Sequence, residues 1–430
     1  LDNVLILGGG FAGLAAARRL GKAGVRSTIL EGSPRTGGLA GCVTVGGVTV
    51  EKFYHHFKPE DRDVVALIEE MGLGGDLRWA DTRMGFYIDG RFHAFSTPLD
   101  LLRFSPLPFA DRVRFALGTL RAKRIDGKTL DGLNAEEWAL SNWNRNIYER
   151  MLKPMLLNKF GIPPAEISAG FLQGRIKGLS SAKSDVRKGE KLSILRNGLD
   201  NLARRVEEDI RGTTDIRVST PVERIESTGG GFRVWSGRDC FEAATVINTL
   251  PLNVFEAIPR NFEFESGIAH QSVVCAVFAV REKLTPIYWL NVLDPDITFR
   301  VLVNQSRIDD YPHTIIYCGN YLKGGHPLFA KPTEEILGLY ERDLRKMFGK
   351  VTVIDRQLSR TRSATPVFDK NFAPKLARLD SAVPGMIFAG HVKVYPYSRT
   401  VSNVLRTGYE AADRALAILR EPKREAACPR

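Results

Sequence analysis

The stretch Val4-Leu-Ile-Leu-Gly8-Gly-Gly10-Phe-Ala-Gly13-Leu-Ala decides the fold. Residues 4–7 are an aliphatic run of strand length, and residues 11–20 carry apolar side chains at helical spacing, so the glycines occupy the turn between strand and helix. Gly8, Gly10 and Gly13 match the spacing G-x-G-x-x-G. Gly8 permits the tight turn, Gly10 lets the backbone approach a pyrophosphate, and Gly13 lets the helix pack close to the strand. The helix N-terminus then offers its free N–H groups to phosphate oxygens. A second strand is expected over residues 27–30, Ser-Thr-Ile-Leu, and ends in Glu31. That acid lies about 20 residues past the glycines, where it can accept the ribose hydroxyls. A dinucleotide is expected at this turn, and on these residues alone NAD and FAD both remain open.

The continuation Glu31-Gly-Ser-Pro-Arg35-Thr-Gly37-Gly38-Leu39 adds a basic residue and a second glycine pair. Here the chain resembles the FAD-dependent amine oxidase, phytoene desaturase and protoporphyrinogen oxidase superfamily, to which UDP-galactopyranose mutase is related. The resemblance implies FAD, held non-covalently. Gly37, Gly38 and Leu39 would run along its pyrophosphate and ribityl chain, with Arg35 assisting. It also implies that Val222, in Thr220-Pro-Val-Glu-Arg-Ile225, touches the adenine from a late strand over residues 216–225. Residues 245–251 would turn back toward the cofactor. After Gly385-Met-Ile-Phe-Ala-Gly390, a helix over residues 403–419 would point its N-terminus, at Asn403 and Val404, toward the flavin, where a helix dipole favours negative charge. Many relatives carry Gly-Asp where this chain has Gly390-His391, so the ribityl contact is expected from His391 or a backbone group.

The fold class expected is α/β: a Rossmann-like FAD-binding domain of the glutathione-reductase type, with an α+β substrate domain containing an antiparallel sheet and a helical insertion. At 430 residues two or three fused modules are expected. The FAD-binding domain is read as discontinuous, residues 1–80, 190–254 and 353–430. Residues 81–189 read as a mostly helical insertion, including a basic helix over 111–124. Residues 255–352 hold β-rich runs at 272–280, 288–293, 298–303 and 314–317, read as an antiparallel sheet flooring the substrate pocket.

The candidate chemistry lies in two clusters. Glu51-Lys-Phe-Tyr-His55-His56-Phe57 sets two histidines among aromatics, and His55 or His56 can exchange a proton beside the flavin, as suits a group of ordinary pKa about 6.5. Gly390-His-Val-Lys393-Val-Tyr395-Pro-Tyr397-Ser-Arg399 returns past the flavin. Lys393 is its candidate reactive group, Tyr395 and Tyr397 can sandwich a substrate, and Arg399 can hold a carboxylate or phosphate through two hydrogen bonds. Trp289, Asn291 and Tyr317 are pocket candidates by their place in the β-rich region.

The formal charge of +12 favours anionic ligands, and a small, anionic substrate is the partner expected. No interleaved aromatic and basic module for nucleic acid is visible. The basic helix and the aromatics before it keep a peripheral contact with an anionic membrane open. Five scattered cysteines without a C-x-x-C pair argue against a zinc site or a disulfide framework and for a reducing, cytoplasmic compartment; no metal is expected. The opening apolar run reads as a strand rather than a secretory leader, and residues 421–430 as a polar tail. The function expected is a dehydrogenase or desaturase, with a redox-neutral sugar-nucleotide isomerase as the alternative.

Overall fold

A five-stranded parallel sheet assembles around Asn3–Leu7 in the computed structural model, which describes residues 3–181 and 189–420. On one side Asn3–Leu7 pairs with Arg26–Leu30, which pairs with Thr214–Arg217. On the other it pairs with Thr245–Asn248, which pairs with Met386–Phe388. Parallel strands are covered on both faces, which is why Val4 to Leu7 is an unbroken apolar run and is fully buried. The helix Phe11–Lys22 packs against the helix Val401–Arg420, and the contact is made at Gly408. A Cβ there would drive into the carbonyl of Ala12 and sit 3.0 Å from the Cβ of Ala15. The buried Arg18 ties the same helix to two neighbours, 2.6 Å from Asp209 and 2.7 Å from Glu70.

A larger sheet of seven strands stands beside the first. Its order is Val353–Pro366, His270–Val280, Thr314–Leu322, Val301–Asn304, Trp289–Val292, Met84–Ile88 and Arg91–Ala94. Every pairing is antiparallel except Trp289–Val292 with Met84–Ile88. His270–Val280 reads as a continuous apolar run because both faces are covered. Val274, Ala276 and Phe278 meet the helix Thr333–Phe348 through Ile336, Tyr340 and Leu344. Cys275 and Val277 face the other way, toward Val45, Val50 and Tyr288.

Three expectations are corrected. Residues 84–94 are not helical: they supply two strands at one end of the larger sheet, and the helices begin at Pro98–Arg103 and continue through Phe109–Lys123, Lys153–Phe160 and Ala169–Ser181. Val353–Pro366, read as part of the dinucleotide unit, is the opposite edge of the larger sheet, because it pairs along most of His270–Val280. The strand expected over residues 216–225 is interrupted: Ser219 takes a positive φ of 51° and Pro221 lacks an N–H, so a link joins Thr214–Arg217 to Arg224–Thr228.

The four described cysteines, Cys42, Cys240, Cys275 and Cys318, are free. Cys428 and the polar tail lie outside the described residues. Among the described residues no helix is long and apolar enough to cross a membrane, and no group of His, Cys, Asp and Glu could hold a metal ion.

Candidate cofactor and substrate site

The glycine turn forms one wall of a cavity of about 370 Å³. Gly8 has φ +100°, open to glycine and strained for other residues, and a Cβ on it would lie 2.6 Å from the Thr249 hydroxyl. Gly13 does not line the cavity. Its bare Cα meets the carbonyl of Gly8, which is the close helix–strand approach expected of it. Gly10 differs from both. Its φ of −72° suits any residue, and a Cβ there would meet no protein atom within 4 Å. The protein has no reason of its own for glycine at that position, whereas a ligand lying against the turn does. No side chain caps the helix Phe11–Lys22, so its first N–H groups are left for that ligand, and Phe11 and Ala12 line the cavity.

The second glycine pair is joined to the first turn. Gly37 donates its N–H to the Gly9 carbonyl at 2.9 Å, and a Cβ on Gly38 would be 3.3 Å from the Cα of Gly10. Gly37, Gly38 and Leu39 all line the cavity. Glu31 lines it too, held by N–H donors from Gly9 at 2.7 Å and Ser33 at 2.8 Å. Gly390, His391 and Val404 close the opposite wall. A long cleft with a glycine cradle, an uncapped helix end and a carboxylate fits FAD: Gly8, Gly10, Gly37 and Gly38 would hold the pyrophosphate, and Glu31 the ribose.

At the other end the cavity meets three imidazoles and a guanidinium: His55, His270, His391 and Arg399. All three imidazoles lose water to surrounding protein. Burial pushes His55 down to about 4, and burial reinforced by Arg399 pushes His391 to about 4. His270 is lowered as well, again by burial. These rings are neutral at pH 7. The Nδ1 atoms of His55 and His270 are buried and make no well-formed hydrogen bond, although the backbone of Phe53 and of Ile268 lies close enough to act on the two rings.

His56 turns away from this cavity. Its Nδ1 lies 3.2 Å from the Tyr288 hydroxyl, its ring meets Trp289 edge-on, and burial pushes it down to about 3. Trp289 thus borders the site through His56 and Tyr54, although it does not line the cavity. Beside them sits a cationic cluster. The Lys159 ammonium is 3.4 Å from the Tyr321 hydroxyl and 5.1 Å from the Trp289 ring, and the Tyr54 hydroxyl donates to Tyr321 at 3.0 Å. Arg175 and Arg399 are close enough to repel Lys159, and burial first, then that repulsion, holds its ammonium well below the usual lysine range. Burial likewise pushes Arg399 to about 10.

Several expected site residues are placed elsewhere. Lys393 pairs with Asp380 at 2.7 Å and does not line the cavity; within the turn His391–Val394, His391 faces inward and Lys393 is drawn off by that carboxylate. Tyr395 is buried, its hydroxyl shared with Ser168 at 2.7 Å and Asp131 at 2.6 Å, among Phe368 and Phe372. Tyr397 is on the surface, 55% exposed. Tyr317 is a core residue that donates to the Glu51 carbonyl at 3.0 Å. Asn291 is spent within its sheet, accepting from the Trp289 indole at 3.2 Å. Asn403 donates to the Ser398 carbonyl at 2.8 Å and so braces the start of its own helix. Arg35 projects into solvent, 3.7 Å from Asp200. Val222 lies in the link after Thr220, whose N–H donates to the Glu31 carbonyl at 2.8 Å. The reading of the sequence missed His270, Lys159 and Arg175, which are solitary in the chain and meet only in space.

Glu51, next to the His55 loop, is buried, and burial followed by the Asp200 charge pushes its carboxyl up to about 8. A carboxyl raised on folding stabilises most below its unfolded pKa and loses that contribution as pH rises through about 8. Above pH 6.5 the lowered histidines no longer contribute a slope. The wild type is therefore expected to lose stability relative to Glu51→Gln between pH 6.5 and 8, by no more than about 1.4 kcal/mol per pH unit, as read from the difference of their melting curves.

The architecture and the cavity define a dinucleotide-binding flavoprotein. The flavin containing amine oxidoreductase family matches residues 11–416, and the chain belongs to that family, with FAD as its cofactor. It is similar to a putative flavin-containing monoamine oxidase of Mycobacterium tuberculosis, 24% identical over 259 residues, 58% of this chain and 57% of that protein. The chain thus matches little more than half the length of this curated relative. Among solved structures it is similar to a putative protoporphyrinogen oxidase from Exiguobacterium (TM-score 0.78, 20% identity, 98% of this chain and 99% of that one). It is also similar to a reduced UDP-galactopyranose mutase (TM-score 0.77, 14% identity, 97% of this chain and 96% of that one). At such identities the two structures establish the shared fold.

Proposed function

We propose that this protein is a dehydrogenase or desaturase that removes a hydride from a substrate C–H bond. The observation that carries the reading is the end of the cavity where three neutral imidazoles, His55, His270 and His391, converge with Arg399. Gly8, Gly10, Gly37, Gly38 and Glu31 would hold FAD, which would supply the hydride acceptor and the route for electrons to oxygen, a quinone or another acceptor. The chain's own residues bind and orient the substrate and receive the proton that leaves with the hydride. His55 is the first candidate for that proton, because its ring lines the cavity and is neutral at pH 7.

The test is anaerobic mixing of FAD-loaded protein with candidate substrates while the flavin absorbance is followed. Bleaching is expected with one of them, and His55→Ala should slow it about 100-fold with FAD content unchanged. The rate should fall as pH drops toward 4, where His55 and His391 take up protons, and be level from pH 6.5 to 8. A second reading, redox-neutral isomerisation of a sugar nucleotide, is favoured by the cations Lys159, Arg175 and Arg399 beside the cavity, which suit a pyrophosphate. Turnover that requires chemically reduced flavin and consumes no acceptor would replace the first reading with the second.

A further inference from the structure

Lys159, Arg175 and Arg399 come from three separated segments, two helices and the loop before the last one, yet they surround one pair of tyrosine hydroxyls, Tyr54 and Tyr321. Among the described residues none of the three is within ion-pair distance of a carboxylate; Glu190 acts on Arg175 only from beyond that distance. Aromatic faces supply part of what water would have given. Lys159 lies 4.5 Å from the Tyr321 ring centre, and Arg399 lies 5.4 Å from that of Phe171 and 5.8 Å from that of Phe368. Such contacts offset only a minor part of the desolvation of an ion, and they do nothing for the repulsion among three like charges. Arg399 also hydrogen-bonds Thr365, and both line the cofactor cavity, so Arg399 is the member through which the cluster meets the chamber that holds the three imidazoles.

We propose that Lys159, Arg175 and Arg399, with the hydroxyls of Tyr54 and Tyr321, form an oxyanion-binding subsite that takes a phosphate or carboxylate group of the substrate. The assignment rests on the reading of the imidazole end as the substrate chamber. Guanidinium groups match two oxygens of either anion, the ammonium adds a point charge, and each hydroxyl can donate one hydrogen bond. The subsite also makes binding proton-linked. The groups facing Lys159 among the described residues are Arg175, Arg399, His56, Tyr54, Tyr321 and Trp289, and none of them is a carboxylate. An arriving anion therefore favours the protonated ammonium, and binding should take up a proton.

Titration calorimetry of the FAD-loaded protein with inorganic phosphate, pyrophosphate and succinate, in two buffers of different ionisation heat, tests this. Saturable binding of at least one probe is expected, with proton uptake. Lys159→Met should abolish the uptake, and Arg175→Met should weaken binding at least 10-fold, both with FAD content unchanged. Preference for phosphate probes or for succinate distinguishes a phosphorylated substrate from a carboxylic one. Absence of saturable binding by all three probes, or equal binding by the Lys159→Met, Arg175→Met double variant, would overturn the subsite. Neither readout depends on flavin reduction, so the subsite and the hydride-transfer reading can fail separately.

A different observation carries a second proposal. The helix Phe109–Lys123 is mounted with its apolar face outward. Its buried positions are Asp111, Gly118 and Ala122. Phe109, Val113, Leu117 and Leu120, at helical spacing, join Leu99 and Leu102 of Pro98–Arg103 as large apolar residues between 41 and 64% exposed. The orientation is fixed from beneath: Asp111 accepts from Asn144 at 2.6 Å, Gly118 lies against the indole of Trp143, and Arg112 donates to the carbonyls of Leu102 and Leu107. Exposed arginines 103, 114, 121 and 124 flank the face. We infer that this surface docks on an anionic phospholipid bilayer, the apolar stripe entering the headgroup boundary and the arginines meeting lipid phosphates.

Sedimentation with phosphatidylcholine vesicles, with and without phosphatidylglycerol, is the test. Binding to the anionic vesicles is expected, to weaken with salt and to fall at least 10-fold in Leu117→Glu, Leu120→Glu while FAD content and melting temperature hold. No binding to either vesicle, binding unaffected by the double variant, or a stable dimer that the same variant dissociates would overturn the membrane assignment.

Discussion

Gly10→Val is expected to yield a folded protein that no longer takes up FAD. Valine is at ease in the extended backbone of that residue, φ −72° and ψ 178°, and no protein atom lies within 4 Å of where its Cβ would stand. The apo-protein should melt at the wild-type temperature or slightly above it, since losing a glycine reduces the freedom of the unfolded chain. The branched side chain would instead fill the space beside the turn where a pyrophosphate must lie. FAD affinity should fall at least about 100-fold, equivalent to about 2.8 kcal/mol. Equilibrium dialysis for affinity and calorimetry of the apo-protein for stability check the two halves. Retained FAD affinity would remove the cofactor from this turn, and a collapsed apo-protein would show that Gly10 serves the fold instead.

Gly408→Val should do the reverse, striking the fold first and the cofactor in consequence. The added atoms would run into the Ala12 carbonyl, which is backbone inside the turn's own helix and cannot swing aside, and would press on Ala15. Relief requires separating Phe11–Lys22 from Val401–Arg420. The loss should be about 3 kcal/mol or more, at the upper end for overpacking a well-filled interior. Denaturant melts of the apo-protein measure it directly, and Gly408→Ala should show a smaller loss in the same direction.

The contrast between these glycines shows which parts of the molecule the sequence could reveal. A turn is local, so its spacing and the strand and helix beside it announce both fold and cofactor within the first forty residues. The chamber's far end is not local. His270 begins a strand, Lys159 and Arg175 sit on two separate helices, and nothing around any of them hints at the others. Adjacency also misleads over short distances. His391 and Lys393 share one turn, yet the first enters the cavity and the second follows Asp380. Tyr395 looked like a substrate clamp because aromatics near a flavin invite that reading, but Asp131 and Ser168 pull its hydroxyl into the core. The amphipathic pattern of Phe109–Lys123 was readable, whereas the direction of its apolar face was not. That direction depends on Asp111 and Gly118 finding Asn144 and Trp143.

The central strand Asn3–Leu7 waits for Thr245–Asn248 on one edge, and the helix after it waits for Gly408. One edge of this strand therefore finds its partner, Arg26–Leu30, within about 20 residues, and the other only after more than 200 more have been added. Contacts so distant in sequence as that with Thr245–Asn248 make for slow closure of the sheet. A chain truncated before Val401 lacks the helix whose Val401 and Val404 line the cavity and whose Gly408 packs on Ala12, so such a fragment is expected to stay colourless when mixed with FAD.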